Sequence, residues 1–441
     1  MRNEPEPTPT PQREYWRFYW PLTIMGLALL LANQFQNGIL SRYPDAAREL
    51  TTFALAGSFY GFLHAALIFL PQMTNVYGHS RDAIRSCMRF TVWSGVMLSM
   101  PLVVLGWTSV GDWLPKVIFG VDDATASTMQ TYFRILGPVI FLDAVRHSLT
   151  GLLVQARSTG WVTLLNLVFL TIVLLLLFGG FHWGFAAVWT VGLAQLGGSA
   201  VALLATYWVW RRHYRTPAEP IPTPSEQELW RFFWPVAITS ICFALSRPVI
   251  FLFASRTPEA IALIAALRVT FDFSMLFLNP INQFRHLMVT FGLQDLTGVR
   301  RFMILVVLIL SGSIVVVALT PLNQLVFAGI FGLDGLVLEY AGAALLPLAL
   351  VPLAMGLRNW FHGHALVAKT TRRMGAAAIA RISIITLASW ILLHTNMLGP
   401  RSAAFLLAFG FLAEATTMWA IATWYQRQTN HCGKRDLSRD S

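Results

Sequence analysis

Charge is what this sequence has least of. Asp, Glu, Lys and Arg make up 12% of its 441 residues, about half the share of a soluble domain. Apolar residues reach 56%. That excludes an ordinary water-soluble fold. Repeated apolar runs near 20 residues place the chain in a bilayer. Cysteine is nearly absent. Cys87, Cys242 and Cys432 lie far apart, without metal-ligand spacing, so neither a disulfide framework nor a zinc site is expected. No Gly-x-Ser-x-Gly, P-loop or dinucleotide-binding pattern occurs, and no cofactor is expected. Residues 1–14 are polar and proline-rich with no signal-peptide apolar core, which reads as a cytoplasmic tail. The net charge of +11 fits basic loops on one membrane face better than nucleic acid.

What is present is a repeat. Glu14-Tyr15-Trp16-Arg17-Phe18-Tyr19-Trp20-Pro21-Leu22 returns as Glu228-Leu229-Trp230-Arg231-Phe232-Phe233-Trp234-Pro235-Val236, six of nine positions identical at an offset of 214. Arg146, Gly151 and Ala156 return as Arg358, Gly363 and Ala368 at offset 212. A weaker echo joins 205–208 to 422–425. Matches at the start, middle and end of each half describe one duplication.

Twelve spans follow, six per half: roughly 15–40, 52–77, 88–110, 129–155, 160–180 and 184–210, then 229–255, 259–291, 301–320, 336–366, 374–394 and 402–425. The expected units are a first lobe at 1–211, a Pro-rich cytoplasmic linker at 212–228 and a second lobe at 229–441. Arg81, Arg85, Arg89, Arg157, Arg211, Arg212, Arg300, Lys369, Arg372 and Arg435 fall on one side, which makes both termini cytoplasmic. An even span number gives the halves one orientation, related by an axis along the membrane normal.

Charges inside spans are costly and mark cavities or partners. Arg146 stands 11 residues before Arg157, and Arg358 11 before Lys369, about 16 Å from that surface at the helical rise. Both are expected to line a midplane cavity, with pairing of Arg146 to Asp143, one turn away, as the structural reading. Arg247 lies at the depth of Asn33 by the offset of 214. Pro248 beside it predicts a helix break. Arg285 is closer to the cytoplasmic end, and Arg268, nearer the outer end, is read as structural. These arginines outnumber Asp143, Asp272 and Glu414, which either neutralise them or carry a proton or sodium ion. A cationic cavity fits an anionic solute, because arginine stays charged and binds carboxylate or phosphate bidentately. Asn33, Asn37, His362 and Thr417 would complete its hydrogen bonds. His362 and His364 point about 200° apart on a helix, which argues against a shared metal.

At these residues the chain resembles the progressive ankylosis protein family, of the superfamily that holds multidrug and toxic-compound extrusion (MATE) transporters and oligosaccharide-lipid flippases. The resemblance rests on Arg17-Phe18-Tyr19-Trp20-Pro21-Leu22, Phe141-Leu142-Asp143-Ala144 with Gly151, and Phe233-Trp234-Pro235. It continues in Ser246-Arg247-Pro248 with Ser255-Arg256, in Arg285, in Arg358 with Gly363, and in 410–418 around Glu414. It implies an all-α membrane protein with twelve transmembrane helices in two pseudo-symmetric six-helix bundles and a cavity between them. It also implies export of polyvalent anions such as ATP or citrate, with extracellular pyrophosphate as a consequence in animals. The chain lacks the acidic C-terminal tail of vertebrate members. It carries His147, His362 and His364 where they have other residues, so the substrate can differ. The combined expectation is a monomeric, non-enzymatic transporter of a small organic anion, in the inner membrane if bacterial, with H+ or Na+ coupling open. The alternatives are a flippase for an anionic lipid-linked substrate, a drug/cation antiporter, a membrane-embedded transferase using Asp143 with His147, and a channel.

Overall fold

The computed structural model describes residues 12–156, 158–215, 223–292, 295–367 and 372–437. Among them are twelve long helices: α1 Gln12–Leu40, α2 Ala46–Tyr77, α3 Arg81–Trp107, α4 Asp123–Gln155, α5 Thr159–His182 and α6 Ala187–His213. The second set is α7 Glu226–Ala254, α8 Ala260–Asn282, α9 Leu296–Leu319, α10 Gly335–Ala365, α11 Arg372–His394 and α12 Pro400–Leu437. Eleven are long and apolar enough to cross a membrane, and α1 takes the twelfth expected place. This is an integral membrane protein.

The ends are set by local chemistry. Ser80 and Asp122 accept from the amides of Ala83 and Thr125 at 3.2 and 3.1 Å, capping α3 and α4. Ser225 and Glu228 form a reciprocal capping box at the start of α7. Inside the helices, prolines change the geometry without ending the spans. α2 passes through a 3-10 turn at Ala66–Phe69, ahead of Pro71. After α8, with Pro280, the chain steps into a short helix, Phe284–Phe291, and α10 is interrupted at Ala349, after Pro347. The expected break at Pro248 does not occur. α7 is continuous from 226 to 254, held between α2 and α11. Between α3 and α4 the chain forms a short helix, Val110–Phe119.

Helix packing repeats with the sequence. α3 on α4, α5 on α6, α4 on α6, α2 on α4 and α1 on α5 correspond to α9 on α10, α11 on α12, α10 on α12, α8 on α10 and α7 on α11. The repeated glycines explain part of this. A Cβ on Gly151 would collide with the Thr74 hydroxyl and the Pro71 carbonyl at the end of α2. One on Gly363 would meet Met288 of Phe284–Phe291. Each glycine lets a short segment cross at close range.

The halves join through α1 on α8, α2 on α7 and α2 on α8. Crossed contacts tie both ends. Trp16 packs edge-to-face on Phe302 of α9 at 4.9 Å and Trp230 on Phe90 of α3 at 5.0 Å. Tyr19 and Phe233 reach the same two rings at 5.4 and 6.1 Å. Each copy of the nine-residue motif therefore clamps the opposite half. At the far end, Arg42 Nη2 donates to the Ile330 carbonyl at 3.0 Å. Arg256 Nη2 donates to those of Val117 and Ile118 at 2.8 and 2.6 Å. Both guanidiniums cap the final carbonyls of a short helix in the other half, where cations are favoured.

Candidate functional site

A polar cavity of about 220 Å³ lies where α1, α2, α4, α6, α7 and α8 meet. Asn33, Gln36, Tyr60, Gln195, Arg247, Arg268 and Asp272 line it, with Phe53 and Phe251 as apolar walls. Asp272 organises the charges. It accepts from Arg247 Nη1 at 2.6 Å and from Asn37 Nδ2 at 3.0 Å, and Arg268 Nη2 lies 3.8 Å away. Arg268 donates to Asn37 at 2.9 Å and sits 4.2 Å over the Phe53 ring, tying α8 to α1 and α2. Gln34 donates to the Asp272 carbonyl at 2.8 Å. Two guanidiniums share one carboxylate, and the Arg247 side chain keeps 22% exposure. Pro248 has no N–H, so the Ala244 carbonyl lacks its helical donor, and both residues line the cavity. The equivalence of Asn33 and Arg247 read from the repeat thus brings the two residues to one cavity.

Arg146 and Arg358 do not line that cavity in this conformation. Each is drawn to a buried carboxylate instead. Arg146 Nε contacts Asp143 at 3.0 Å, and Asp143 also meets His64 Nε2 at 3.0 Å and the Tyr60 hydroxyl at 3.5 Å. The Arg146 guanidinium lies 5.2 Å over Phe169, and His147 stacks edgewise on His64. In the second half Glu414 of α12 is fully buried between Arg358 at 2.7 Å, Arg381 at 2.5 Å and His362 at 3.0 Å. Phe243 and Phe411 stack against both guanidiniums. Sequence spacing gives depth along a helix, but azimuth decides whether a charge meets a cavity or a partner.

Arg381 was missed by the sequence reading. It stands within the apolar span 374–394, and an inventory of charges in every span would have found it. At the 212 offset it replaces Phe169, so an aromatic face in one half becomes a second guanidinium in the other. Its Nε and Nη2 have no hydrogen-bond partner among the described residues. The three clusters together hold five arginines and three carboxylates. Unpaired buried charge is expensive, so the surplus is a functional signal.

The remaining expected site residues disperse. Asn37 is wholly buried in the Asp272 network. His362 is buried on Glu414, whereas His364 is exposed against Trp360. Thr417 bonds back to the Ala413 carbonyl at 2.8 Å within its own helix. Arg285 lies on Phe284–Phe291, with its side chain outside the described residues.

Twelve long helices in two matched sets around an inter-set polar cavity make a fold that solved transporter structures share. The fold is similar to the eukaryotic MATE transporter AtDTX14, with TM-score 0.66 and 14% identity, covering 96% of this chain and 99% of that one. It is similar to the lipid II flippase MurJ in an inward closed conformation, with TM-score 0.67 and 14% identity, covering 91% and 87%. A MOP superfamily transporter from Pyrococcus furiosus, described as having a binding pocket of reverse polarity, matches with TM-score 0.58 and 14% identity over 92% and 94%. Over residues 6–178 the chain matches the family model of the progressive ankylosis protein (ANKH). The resemblance read from the sequence is borne out over that stretch.

Proposed function

We propose that the chain is a membrane transporter that moves a polyvalent organic anion, of the citrate or nucleotide and pyrophosphate class, by alternating access between lobes 1–211 and 229–441. The observation that carries this reading is the partly exposed Arg247 guanidinium in the inter-half cavity, beside Arg268 and with Asp272 as the one carboxylate balancing both among the described residues. An incoming anion takes Arg247 bidentately, and Asn33 and Gln36 supply hydrogen bonds. Asp272 holds the arginines in place while the site is empty. Rocking of the two sets then exposes the site to each side in turn. The Asp143 and Glu414 clusters keep their helices in register, Arg285 guides the anion from the cytoplasmic side, and export is the direction.

A lipid-linked substrate wants a lateral path from bilayer to polar cavity. In this structure α2 stands between: Gly57, Ser58 and Tyr60 face the cavity, while Phe59, Phe62 and Leu63 face an apolar groove outside it. That supports the soluble-anion reading. The test is uptake of labelled citrate, malate, ATP and pyrophosphate into proteoliposomes, with and without pH or sodium gradients. Saturable uptake of one anion, reduced at least about 100-fold in Arg247→Ala, which removes a charge-assisted contact of roughly 3 kcal/mol, is expected. Uptake unchanged in Arg247→Ala would remove the site assignment. No uptake of any of the four, together with binding of a lipid pyrophosphate, would replace the reading with a flippase.

A further inference from the structure

A groove of about 920 Å³ runs along α3 where the two halves meet. Its walls come from Phe59 and Phe62 of α2, from α3 between Arg89 and Leu105, and from Trp230 at the start of α7. Its volume is at the upper end of ligand pockets, roughly 300–1,000 Å³, and its lining is apolar except at one end, where Arg89 and Glu226 stand. Trp93, Met97, Met100 and Val104 are exposed along it. They lie on a candidate membrane span, so bilayer lipid is what reaches them.

The pattern along α3 matches an amphiphile. Arg81, Arg85, Arg89, Trp93 and Met97 recur every four residues, one stripe that changes from basic to apolar. From Arg89 to Val104 the stripe covers roughly 22 Å at the helical rise, more than one leaflet of a ~30 Å hydrocarbon core. Arg89 meets Glu226 at 2.9 Å, but both side chains are mostly exposed. Such a surface pair is weak, and a phosphate can share the guanidinium.

We propose that this groove is the seat of a resident bilayer phospholipid, its phosphate at Arg89 and one acyl chain along α3 toward Val104. The seat has a structural consequence. Phe90 and Trp230, which line it, are the edge-to-face pair that clamps the second motif copy to the first half. A lipid there contacts α3 of one half and α7 of the other, and stabilises the closed arrangement at the motif end.

The experiment uses the full chain reconstituted with a phosphatidylcholine bearing a photoactivatable diazirine in its acyl chain, with labelled peptides mapped by mass spectrometry. Labelling at 93–104 and 59–63 is expected to exceed that at the lipid-exposed Leu167, Leu175 and Phe178 of α5 by at least about tenfold, about 1.4 kcal/mol in affinity. Met97→Trp, which fills the groove, removes that excess and leaves α5 unchanged. Equal labelling of α3 and α5, or labelling indifferent to Met97→Trp, would overturn the seat. Protein-dependent translocation of a head-group-labelled phosphatidylcholine would also overturn it, by making the lipid cargo rather than resident. None of these outcomes depends on anion uptake.

Discussion

Glu414→Gln and Arg381→Met should have opposite severities, although they break the same contact. Glu414 sits at no exposure between two guanidiniums at 2.7 and 2.5 Å. Neutralising it strands two buried positive charges. Removing the partner of a buried charge costs about 3–5 kcal/mol. For a unit of lobe size, that corresponds to a fall in Tm of roughly 6–20 °C, at about 2–4 °C per kcal/mol. Arg381→Met leaves Glu414 and Arg358 as a one-to-one pair. It loses one short charged contact, but it removes the surplus charge and two donor nitrogens without a partner among the described residues, each of which costs about 1–3 kcal/mol when buried. The terms nearly cancel, so the net change stays within about 2 kcal/mol. The double variant Glu414→Gln/Arg381→Met should recover at least about 1 kcal/mol relative to additivity. The assay is thermal unfolding of detergent-purified protein followed by intrinsic fluorescence. Glu414→Gln as stable as wild type, or Arg381→Met more damaging than Glu414→Gln, would refute this account of the cluster.

Gly151→Ala should destabilise by about 1–3 kcal/mol, because its Cβ meets the Pro71 backbone. Gly363→Ala should cost less, because it meets only the flexible Met288 side chain; paired Tm measurements check the order. A double-mutant cycle on Phe90 and Trp230 should give a coupling of about 0.5–1.5 kcal/mol, and so should one on Phe302 and Trp16. A cycle on Phe90 and Trp16 should give none, and a coupling there would contradict the crossed contacts. Asp122 caps α4 and pairs with Arg48, and hydrogen bonds from Thr125 hold its carboxyl below the usual range. Its contribution, about 1 kcal/mol or less for a cap, is therefore complete above the unfolded carboxylate value and lost as pH falls through the depressed one. Asp122→Asn should flatten that acid limb of a stability–pH curve.

Much of the architecture was legible because duplication is written in letters. The two Trp-Arg-Phe motifs, the paired glycines and the apolar runs announce six helices used twice. Helix pairings six apart in number follow from that alone. The motif's purpose was not legible, since Phe90 and Phe302 share the 212 spacing without any local signature. At the charged sites the limit was angular. Asp143 stands one turn from Arg146, so their pairing was visible as an alternative. Glu414 reaches Arg358 across 56 residues, which spacing along one helix does not reveal. Asn33 with Arg247 was recovered because the repeat itself relates them. The break expected at Pro248 failed because one missing donor does not unseat a helix packed on both sides.

The crossed contacts at the two ends are chemically unlike. Trp16 and Trp230 hold the motif end by burying aromatic surface, whereas Arg42 and Arg256 hold the far end by polar bonds to carbonyls. Exposing aromatic surface raises heat capacity, and exposing polar surface lowers it. Burial of apolar surface also loses strength on cooling. The two ends therefore answer temperature with opposite sign. Cooling loosens the aromatic end relative to the guanidinium end, so the relative strength of the two seams is a function of temperature.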